Sequence, residues 1–248
     1  MSEVIDKIFK TRNVIKEILS KDYITEDIQN YSQSEIVNLY ETPNDAYDTG
    51  SASGCNFSIK HRFIENHNLN VIYYGFSPIG TNPTRITRNI KEKINNLYLS
   101  GIFNETDNCI IIIPEEVSEN IVNSINELNT TLSEEDIDET VFESFEKNMK
   151  STKHILHRRH FSKVFIFYIN ELIVNLSVNR FVPKHEVIRD ELQIQEILEN
   201  CNCTKKQLPV MIKNDIQARY NLAVQGDIMK ITRTSKMSGE YPFYRFIK

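Results

Sequence analysis

The run of four isoleucines at residues 110–113 is the sequence feature that most constrains the fold. Together with Cys109 it forms a short, wholly apolar and mostly β-branched segment, which is typical of a strand buried on both faces. Segments with apolar residues at helical spacing lie on either side of it, at 84–99 and 118–128. This alternation predicts a buried strand between two helices that cover a sheet.

The rest of the first 170 residues fits the same plan. Period-two alternation of apolar residues predicts a strand at 57–63, and further strands are predicted at 71–76 and 164–169. An amphipathic helix is predicted over 3–20, and a short helix is predicted to begin after Ser32 or Ser34. Residues 42–54 are rich in Asp, Asn, Ser and Gly and predict a loop. We therefore expect an N-terminal α/β domain over 1–170.

The last part of the chain has shorter elements. Its pattern predicts three more strands, at 172–176, 228–233 and 241–247. A helix is predicted at 190–200, and the connection at 234–240 contains Gly239 as a turn residue. We expect a small mixed α/β domain over 171–248, which makes the fold class of the whole chain α+β.

Charge is distributed unevenly between these two parts. Residues 171–248 contain 12 Lys and Arg against 9 Asp and Glu, a net charge of +3, so the whole-chain charge of −5 leaves −8 for 1–170. This difference favours two domains, and the net acidity argues against a protein that coats nucleic acid by itself. Residues 130–163 pass from an acidic block to a basic block and predict a solvated, charged insertion.

Two groups contain residue types that bind metals. Cys201 and Cys203 are separated by one residue, whereas zinc sites use wider pairs, so ordinary cysteines at a helix end are the favoured interpretation. His154, His157 and His160 recur every three residues in a basic setting without a carboxylate. For them a solvated basic face is favoured over a phosphate-contacting patch, with a metal cluster as the third option. We expect reduced thiols, no metal site and no cofactor.

The sequence contains no motif that indicates catalysis. It lacks a glycine-rich phosphate loop and a Gly-x-Ser-x-Gly turn, and no spacing suggests a catalytic triad, so no catalytic residue is predicted. The N-terminus has no apolar core of a secretory signal, and no apolar run approaches the length of a membrane span. We expect no membrane partner.

Five ordered motifs near the C-terminus carry a resemblance to a known family. They are Phe181–Val187, Gln207–Pro209, Asp215–Tyr220, Gly226–Arg233, and Ser238–Tyr241 followed by Tyr244-Arg245. In this order they resemble the fifth-largest shared subunit of the eukaryotic nuclear RNA polymerases, whose C-terminal part is the archaeal H-type subunit. The departures from the family pattern are Ile216, Asn221-Leu222, Gln225 and Glu240. Near the N-terminus, 8–19 and 100–103 resemble the jaw domain of the eukaryotic members.

The resemblance implies a non-catalytic structural subunit of a multisubunit DNA-dependent RNA polymerase, present in one copy per complex. Its C-terminal assembly domain, which resembles the archaeal H-type protein, would dock on the largest subunit among other polymerase subunits. Its jaw domain would flank downstream duplex DNA and contact it weakly. The expected residues of the largest-subunit interface are Pro183, Lys184, His185, Arg219, Tyr220 and Arg245. The expected DNA-proximal residues are Arg85, Arg88, Lys91, Arg158 and Arg159.

Abundant Asn, Ile and Lys, together with the divergence and the charged insertion, suggest a large DNA virus as the source. The resemblance implies the nucleus for a cellular protein, and the virion or a cytoplasmic virus factory for a viral one. Two alternatives stay open. One is a stand-alone metal-dependent nuclease, which would need a convergent group of carboxylates. The other is a regulatory protein that binds polymerase through the C-terminal domain.

Overall fold

A computed structural model describes residues 3–44, 46–81, 85–86, 89–134, 156–235 and 239–248. The chain divides into two compact units. The first lies within Met1–Ser151 and Phe161–Val174, and the second within Thr152–His160 and Asn175–Lys248. The chain therefore enters the second unit briefly, returns to the first, and then completes the second. The predicted α+β class is confirmed.

The first unit contains a four-stranded sheet in the order β1-β2-β3-β4. Its strands are β1 (Phe57–Lys60), β2 (Asn68–Tyr73), β3 (Asn108–Ile113) and β4 (Val164–Tyr168). β1 is antiparallel to β2, whereas β2, β3 and β4 run parallel to one another. The register places the isoleucine run at the centre, with Ile111 beside Ile72 on one side and Ile166 on the other. All six residues of β3 are buried, as the sequence predicts.

Helices cover both faces of this sheet. The connections between the parallel strands contain α3 (Ile90–Leu99) and α4 (Glu119–Glu134), and their apolar residues share one core with alternate residues of β2, β3 and β4. α1 (Glu3–Leu19) packs on the opposite face. Its Thr11 hydroxyl lies 2.9 Å from the hydroxyl of Tyr73, a β2 residue whose side chain points to that face. α2 (Gln33–Glu41) begins at Ser32, which forms a capping box with Glu35.

The predicted elements of the first unit are largely confirmed, with three differences in their bounds. The strand predicted for 71–76 spans Asn68–Tyr73 instead. The strand predicted for 57–63 ends at Lys60. The helix predicted from residue 84 begins at Ile90, so the prediction is wrong for Arg85 and Ile86. Ile86 instead places its side chain in the core, and its backbone N–H donates to the Glu115 carboxylate at 2.9 Å. Most of the predicted charged insertion, 135–155, lies outside the described residues.

The second unit is a four-stranded sheet in the order β5-β7-β8-β6. Its strands are β5 (Lys184–Ile188), β6 (Val210–Met211), β7 (Ile228–Ser235) and β8 (Gly239–Ile247). β7 pairs antiparallel with both β5 and β8, whereas β6 is parallel to β8. Two further helices are α5 (Glu191–Asn200) and α6 (Ile216–Tyr220). Ile194 and Ile197 of α5 pack with Ile228 on one face of the sheet, and Ala218 of α6 packs with Met229 on the other.

The outcome for the C-terminal elements is mixed. The helix at 190–200 is confirmed, and Asp190 caps it by accepting from the Leu192 backbone N–H. The two last strands are longer than predicted and reach Ser235 and Gly239. The strand predicted at 172–176 is wrong: Ile169–Leu172 is a 3₁₀ helix that buries Ile169 and Leu172 in the first unit. β5 and α6, which contain family motifs, were not predicted as elements.

Among the described residues, no helix combines the length and the apolar character needed to cross a membrane.

Candidate interface and charge cluster of the C-terminal unit

One face of the second sheet carries charged and aromatic side chains beyond its core. The register places His185 beside Ile231, and Ile231 beside Phe243. Opposed residues of neighbouring strands point to the same face, as do residues two positions apart on one strand. Five side chains therefore share this face and form what we call the basic–aromatic patch: His185, Arg233, Tyr241, Phe243 and Arg245.

Phe243 organises the patch. Its ring centroid lies 4.6 Å from the Arg233 guanidinium and 5.5 Å from that of Arg245, so both cations contact one aromatic ring. Arg245 also donates to the Val210 carbonyl at 3.1 Å, which ties it to β6. These contacts hold two guanidinium groups in defined positions on a surface. Such pre-ordered Arg and aromatic groups are enriched in protein-binding surfaces.

His185 is a half-buried member of this patch. Burial lowers its pKa, an effect opposed by the Pro183 carbonyl and Asp215, and reinforced by Arg233 and Arg245. Its Nδ1–H donates to the Pro183 carbonyl at 2.7 Å, which fixes the ring. The imidazole is therefore held neutral between cations, and the positive charge of the patch comes from the two arginines.

A second exposed feature is the segment that leads into β5. Val178 and Phe181 are 74% and 79% exposed, and Leu176 is 37% exposed. Apolar side chains of this size are rarely left so open over a short stretch unless another surface covers them. This segment is attached to α6, because the Ser177 hydroxyl donates to the Gln217 side-chain oxygen at 3.1 Å. We call Leu176, Val178 and Phe181 the apolar strip.

A buried charge cluster lies at the start of β7, around Asp227 of the Gly226–Arg233 motif. Asp227 is fully buried, and its carboxylate accepts from His160 Nε2 at 2.9 Å, Arg159 Nη2 at 3.1 Å and the Val224 backbone N–H at 3.2 Å. Arg189 Nε adds an ion contact at 3.5 Å. A buried carboxylate without such partners would cost several kcal/mol. The cluster thus pins the short segment around Arg159 and His160 to the C-terminal unit.

The protonation states of this cluster follow from its contacts. Burial alone would raise the pKa of the Asp227 carboxyl, but His160 and Arg189 outweigh it and hold that pKa well below its usual range. Burial lowers the pKa of His160 to about 4. The geometry agrees with a neutral imidazole, because His160 Nδ1 accepts from the His157 backbone N–H at 2.7 Å while Nε2–H faces Asp227. The cluster is one carboxylate held by two arginines and a neutral histidine.

The residues expected at the largest-subunit interface occupy different environments. Pro183 and His185 lie together where β5 begins, and Lys184 is exposed with its ammonium 2.7 Å from Glu186. Arg245 lies in the patch. Arg219 is half-buried and donates from Nε to the Asn214 carbonyl at 3.0 Å, outside the patch. Tyr220 is 3% exposed, so its ring belongs to the interior of the unit.

The residues expected near DNA are also dispersed. Arg85 is exposed, whereas Lys91 on α3 lies 3.3 Å from the Glu127 carboxylate on α4. Arg88 lies outside the described residues. Arg158 is exposed, but Arg159 is occupied by Asp227. The structure thus leaves Arg85 and Arg158 as the exposed arginines of this set.

The sequence analysis did not predict that the basic segment before β4 contacts a buried carboxylate. A solvated basic face is wrong for His160, which is 3% exposed, and Arg159 beside it contacts Asp227. The one signal in the sequence was an acidic residue, Asp227, directly before the apolar strand β7; a charge there needs a partner, but sequence cannot say which. Across the described residues, no group of three or more His, Cys, Asp or Glu side chains is arranged to hold a metal ion.

Comparison with known proteins gives matches over the C-terminal unit. The family described as RNA polymerase Rpb5, C-terminal domain, matches residues 174–247. DNA-directed RNA polymerase subunit Rpo5 of Nitrosopumilus maritimus is 41% identical over 68 residues, which are 27% of this chain and 80% of the relative. The subunit of the same name from Archaeoglobus fulgidus is 42% identical over 72 residues, which are 29% of this chain and 93% of the relative.

A plant relative shows how the coverage differs in eukaryotes. The subunit 5B of DNA-directed RNA polymerases IV and V from Arabidopsis thaliana is 33% identical over 85 residues, which are 34% of this chain and 38% of the relative. The chain therefore spans most of the archaeal relatives but well under half of the plant one. The jaw resemblance of 1–170 stays a prediction.

A mixed α/β unit with these matches defines the class of the protein as a subunit of DNA-directed RNA polymerase. Within that class, the chain belongs to the Rpb5 family, whose archaeal members are named Rpo5. The family resemblance carried by the five C-terminal motifs is confirmed.

Proposed function

We propose that this chain is a non-catalytic structural subunit of a multisubunit DNA-dependent RNA polymerase. In this proposal the C-terminal unit docks on the largest subunit, and the N-terminal unit flanks downstream DNA as a jaw, with one copy per complex. The observation that carries the proposal is the family match over 174–247, which covers nearly all of the second unit. A cellular member would act in the nucleus, and a viral one in the virion or a cytoplasmic virus factory.

The surface of the second unit supports docking on a protein. The basic–aromatic patch offers guanidinium groups already fixed on Phe243, and the apolar strip offers Val178 and Phe181 for burial. Stable interfaces combine aromatic and Arg anchors with an apolar centre, and they exclude water around them. Pro183, Lys184 and His185 lie at the entry to β5, next to the patch through His185. We assign these residues, with Arg219 and Arg245, to the largest-subunit interface.

Tyr220 enters this proposal in a different role. Because its side chain is buried in the second unit, it supports the interface by shaping α6 rather than by contact. Substitution of Tyr220 would therefore lower the stability of the unit together with docking, whereas a patch substitution would lower docking alone. This difference separates the two kinds of residue by experiment.

Weak DNA contact by the first unit is consistent with its charges. Residues 1–170 have a net charge of −8, and the three cations of 152–160 belong to the second unit. The first unit is therefore more acidic still, and a general attraction to phosphate is not available. Any contact with DNA must therefore come from individual cations, and Arg85 is an exposed cation of this unit. Lys91 is the weaker contributor, since Glu127 already neutralises it. Arg158 is a further exposed cation, in the second unit.

The docking proposal is tested by affinity purification of the tagged protein from its native source. We expect the two largest polymerase subunits to be recovered at near one-to-one stoichiometry. The double variant Arg233→Ala and Arg245→Ala should weaken docking by on the order of tenfold or more, as for removal of interface anchors. Lys206→Ala is the matched control, because Lys206 is an exposed cation that is not part of the patch. Absence of polymerase from the purification, or equal recovery with the double variant, would contradict the proposal.

The DNA role needs a separate test on the assembled polymerase. Cross-linking of downstream duplex DNA should reach the jaw, and Arg85→Ala should reduce the salt dependence of that contact by about one counterion. The isolated chain should bind duplex DNA weakly and release it as salt rises. Salt-resistant binding by the isolated chain would refute this reading, and metal-dependent cleavage of DNA would favour the nuclease alternative.

A further inference from the structure

The turn that ends α5 contains two cysteines separated by one residue. The Cys201 backbone N–H donates to the Ile197 carbonyl at 2.9 Å, and the Cys203 N–H donates to the Leu198 carbonyl at 3.0 Å. Asn202 between them has φ +47°, a left-handed conformation that reverses the chain after the helix. This turn, fixed by two backbone hydrogen bonds, holds both cysteines at the end of the helix, one residue apart.

Both thiols are accessible. The Cys201 side chain is near enough to that of Cys203 to help raise the pKa of the Cys203 thiol. Cys201 is exposed and Cys203 is partly exposed, whereas Cys55 and Cys109 are buried. Burial raises the pKa of Cys55 to about 11 and raises that of Cys109 further, so neither forms the reactive thiolate near neutral pH. Of the four thiols, therefore, the two that a reagent in solution can reach are the pair at the end of α5.

We propose that Cys201 and Cys203 form a reversible dithiol–disulfide site, oxidised by low-molecular-weight disulfides of the glutathione type. In the first step the Cys201 thiolate attacks one sulfur of the small disulfide. A mixed disulfide forms on Cys201, and one small thiol leaves. In the second step the Cys203 thiolate attacks the Cys201 sulfur, the Cys201–Cys203 bond forms, and the second small thiol leaves. The protein loses two electrons and two protons, and the small disulfide gains them.

The order of the two steps follows from exposure and from the raised pKa of Cys203. Cys201 is the more exposed thiol and meets the reagent first. Partial burial and the neighbouring Cys201 sulfur raise the pKa of Cys203, so Cys203 is the slower thiol towards a reagent in solution. Its attack is then intramolecular, so its effective concentration far exceeds that of any free thiol in solution.

The same geometry makes the disulfide reversible. A bridge between cysteines one residue apart closes a small ring, which departs from the relaxed disulfide geometry and makes the bond more easily reduced. The loop closed is also short, so the bridge adds little stability by restricting the unfolded chain. Oxidation thus changes the end of α5 locally and leaves the core residue Ile197 in place.

The experiment uses the full-length protein, reduced, freed of reductant, and equilibrated in glutathione buffers of increasing oxidised fraction. Samples are quenched in acid, alkylated under denaturing conditions, and mapped by mass spectrometry of peptides. We expect a Cys201–Cys203 disulfide in the oxidised samples, its loss on return to reduced glutathione, and complete alkylation of Cys55 and Cys109 throughout. Far-ultraviolet circular dichroism should stay unchanged.

Two single variants distinguish the proposed steps. Cys203→Ser should stop at a stable mixed disulfide on Cys201, because the resolving thiol is absent. Cys201→Ser should react at least about tenfold more slowly, since a partly buried thiol with a raised pKa remains. The proposal is overturned if wild-type protein accumulates the mixed disulfide without closing the ring. Persistently reduced thiols in fully oxidised glutathione, or equal reaction of Cys55 and Cys109, would overturn it as well.

Discussion

Replacement of Asp227 by Asn tests whether the buried charge cluster holds the C-terminal unit together. The carboxylate is fully buried and has three hydrogen-bond donors, from His160, Arg159 and the Val224 backbone, besides the ion contact with Arg189. Asn keeps the size of the side chain but removes the charge. It also turns one acceptor atom into a donor that would face other donors.

The magnitude follows from what is left behind. Removing one partner of a buried ion pair costs roughly 3–5 kcal/mol, because the remaining charge stays desolvated. The Arg189 side chain is only 17% exposed, so its guanidinium would stay desolvated without the carboxylate. The Arg159 side chain is 35% exposed, so water can partly solvate its guanidinium. We therefore expect Asp227→Asn to lower the free energy of unfolding of the second unit by about 3 kcal/mol, at the lower end of that range.

The assay must report on the second unit by itself, because a chain of two units need not unfold in one step. Hydrogen exchange of the β7 and β8 amides, followed in the full-length protein, provides that local measurement. Glu240→Gln is the control, since Glu240 is an exposed carboxylate on β8 and its loss should change stability by less than about 0.5 kcal/mol.

A double-mutant cycle adds a second check on the same reasoning. Arg189→Met in the Asp227→Asn background should cost less than Arg189→Met in the wild type, because the two residues share one interaction. If Asp227→Asn lowers the free energy of unfolding by less than about 1 kcal/mol, or if the two substitutions are strictly additive, Asp227 does not stabilise the second unit through this cluster.

Three further predictions concern pH, close packing and a helix cap. Burial lowers the pKa of His160 from 6.5 to about 4, so between these pH values the unfolded chain binds a proton that the folded unit does not. The stability of the second unit should therefore fall as the pH drops from about 6.5 towards 4. His160→Gln should flatten that part of the pH profile measured by urea denaturation. A Cβ on Gly54 would lie 2.2 Å from the Leu39 carbonyl oxygen, so Gly54→Ala should lower the melting temperature sharply. Gly80→Ala is the control: its Cβ would meet no neighbour within 4 Å, and the positive φ of Gly80 should lower the free energy of unfolding by only about 1 kcal/mol. Ser32→Ala removes the capping box of α2 and should cost about 1 kcal/mol in the first unit, measured by chemical denaturation.

Local pattern by itself determined the central elements of this protein. Four consecutive isoleucines can be satisfied only where both faces of a strand are covered, and β3 is such a strand. Helical spacing of apolar residues likewise predicted α1 and α4, because one face of each must be buried. The ordered motifs near the C-terminus determined the family, since motif order is a property of sequence alone.

Pattern failed where a segment's conformation depended on distant residues. Apolar spacing at 172–176 predicted a strand, but the segment has no neighbouring strand to pair with among the described residues and turns instead, burying Leu172. β5 shows the reverse case. It alternates weakly, and it is a strand because β7 offers it a hydrogen-bonding edge.

The functional surfaces divide in the same way. The sequence determined which residue types were available, including Lys184, His185 and Arg245 within the family motifs. Only the tertiary structure decided that Arg233 and Arg245 meet on Phe243, and that Arg159 and His160 serve Asp227 some 67 positions further along the chain. A charge in a sequence has no environment until the chain folds; burial and the distance to its partner, which decide its energy, exist only in the folded protein.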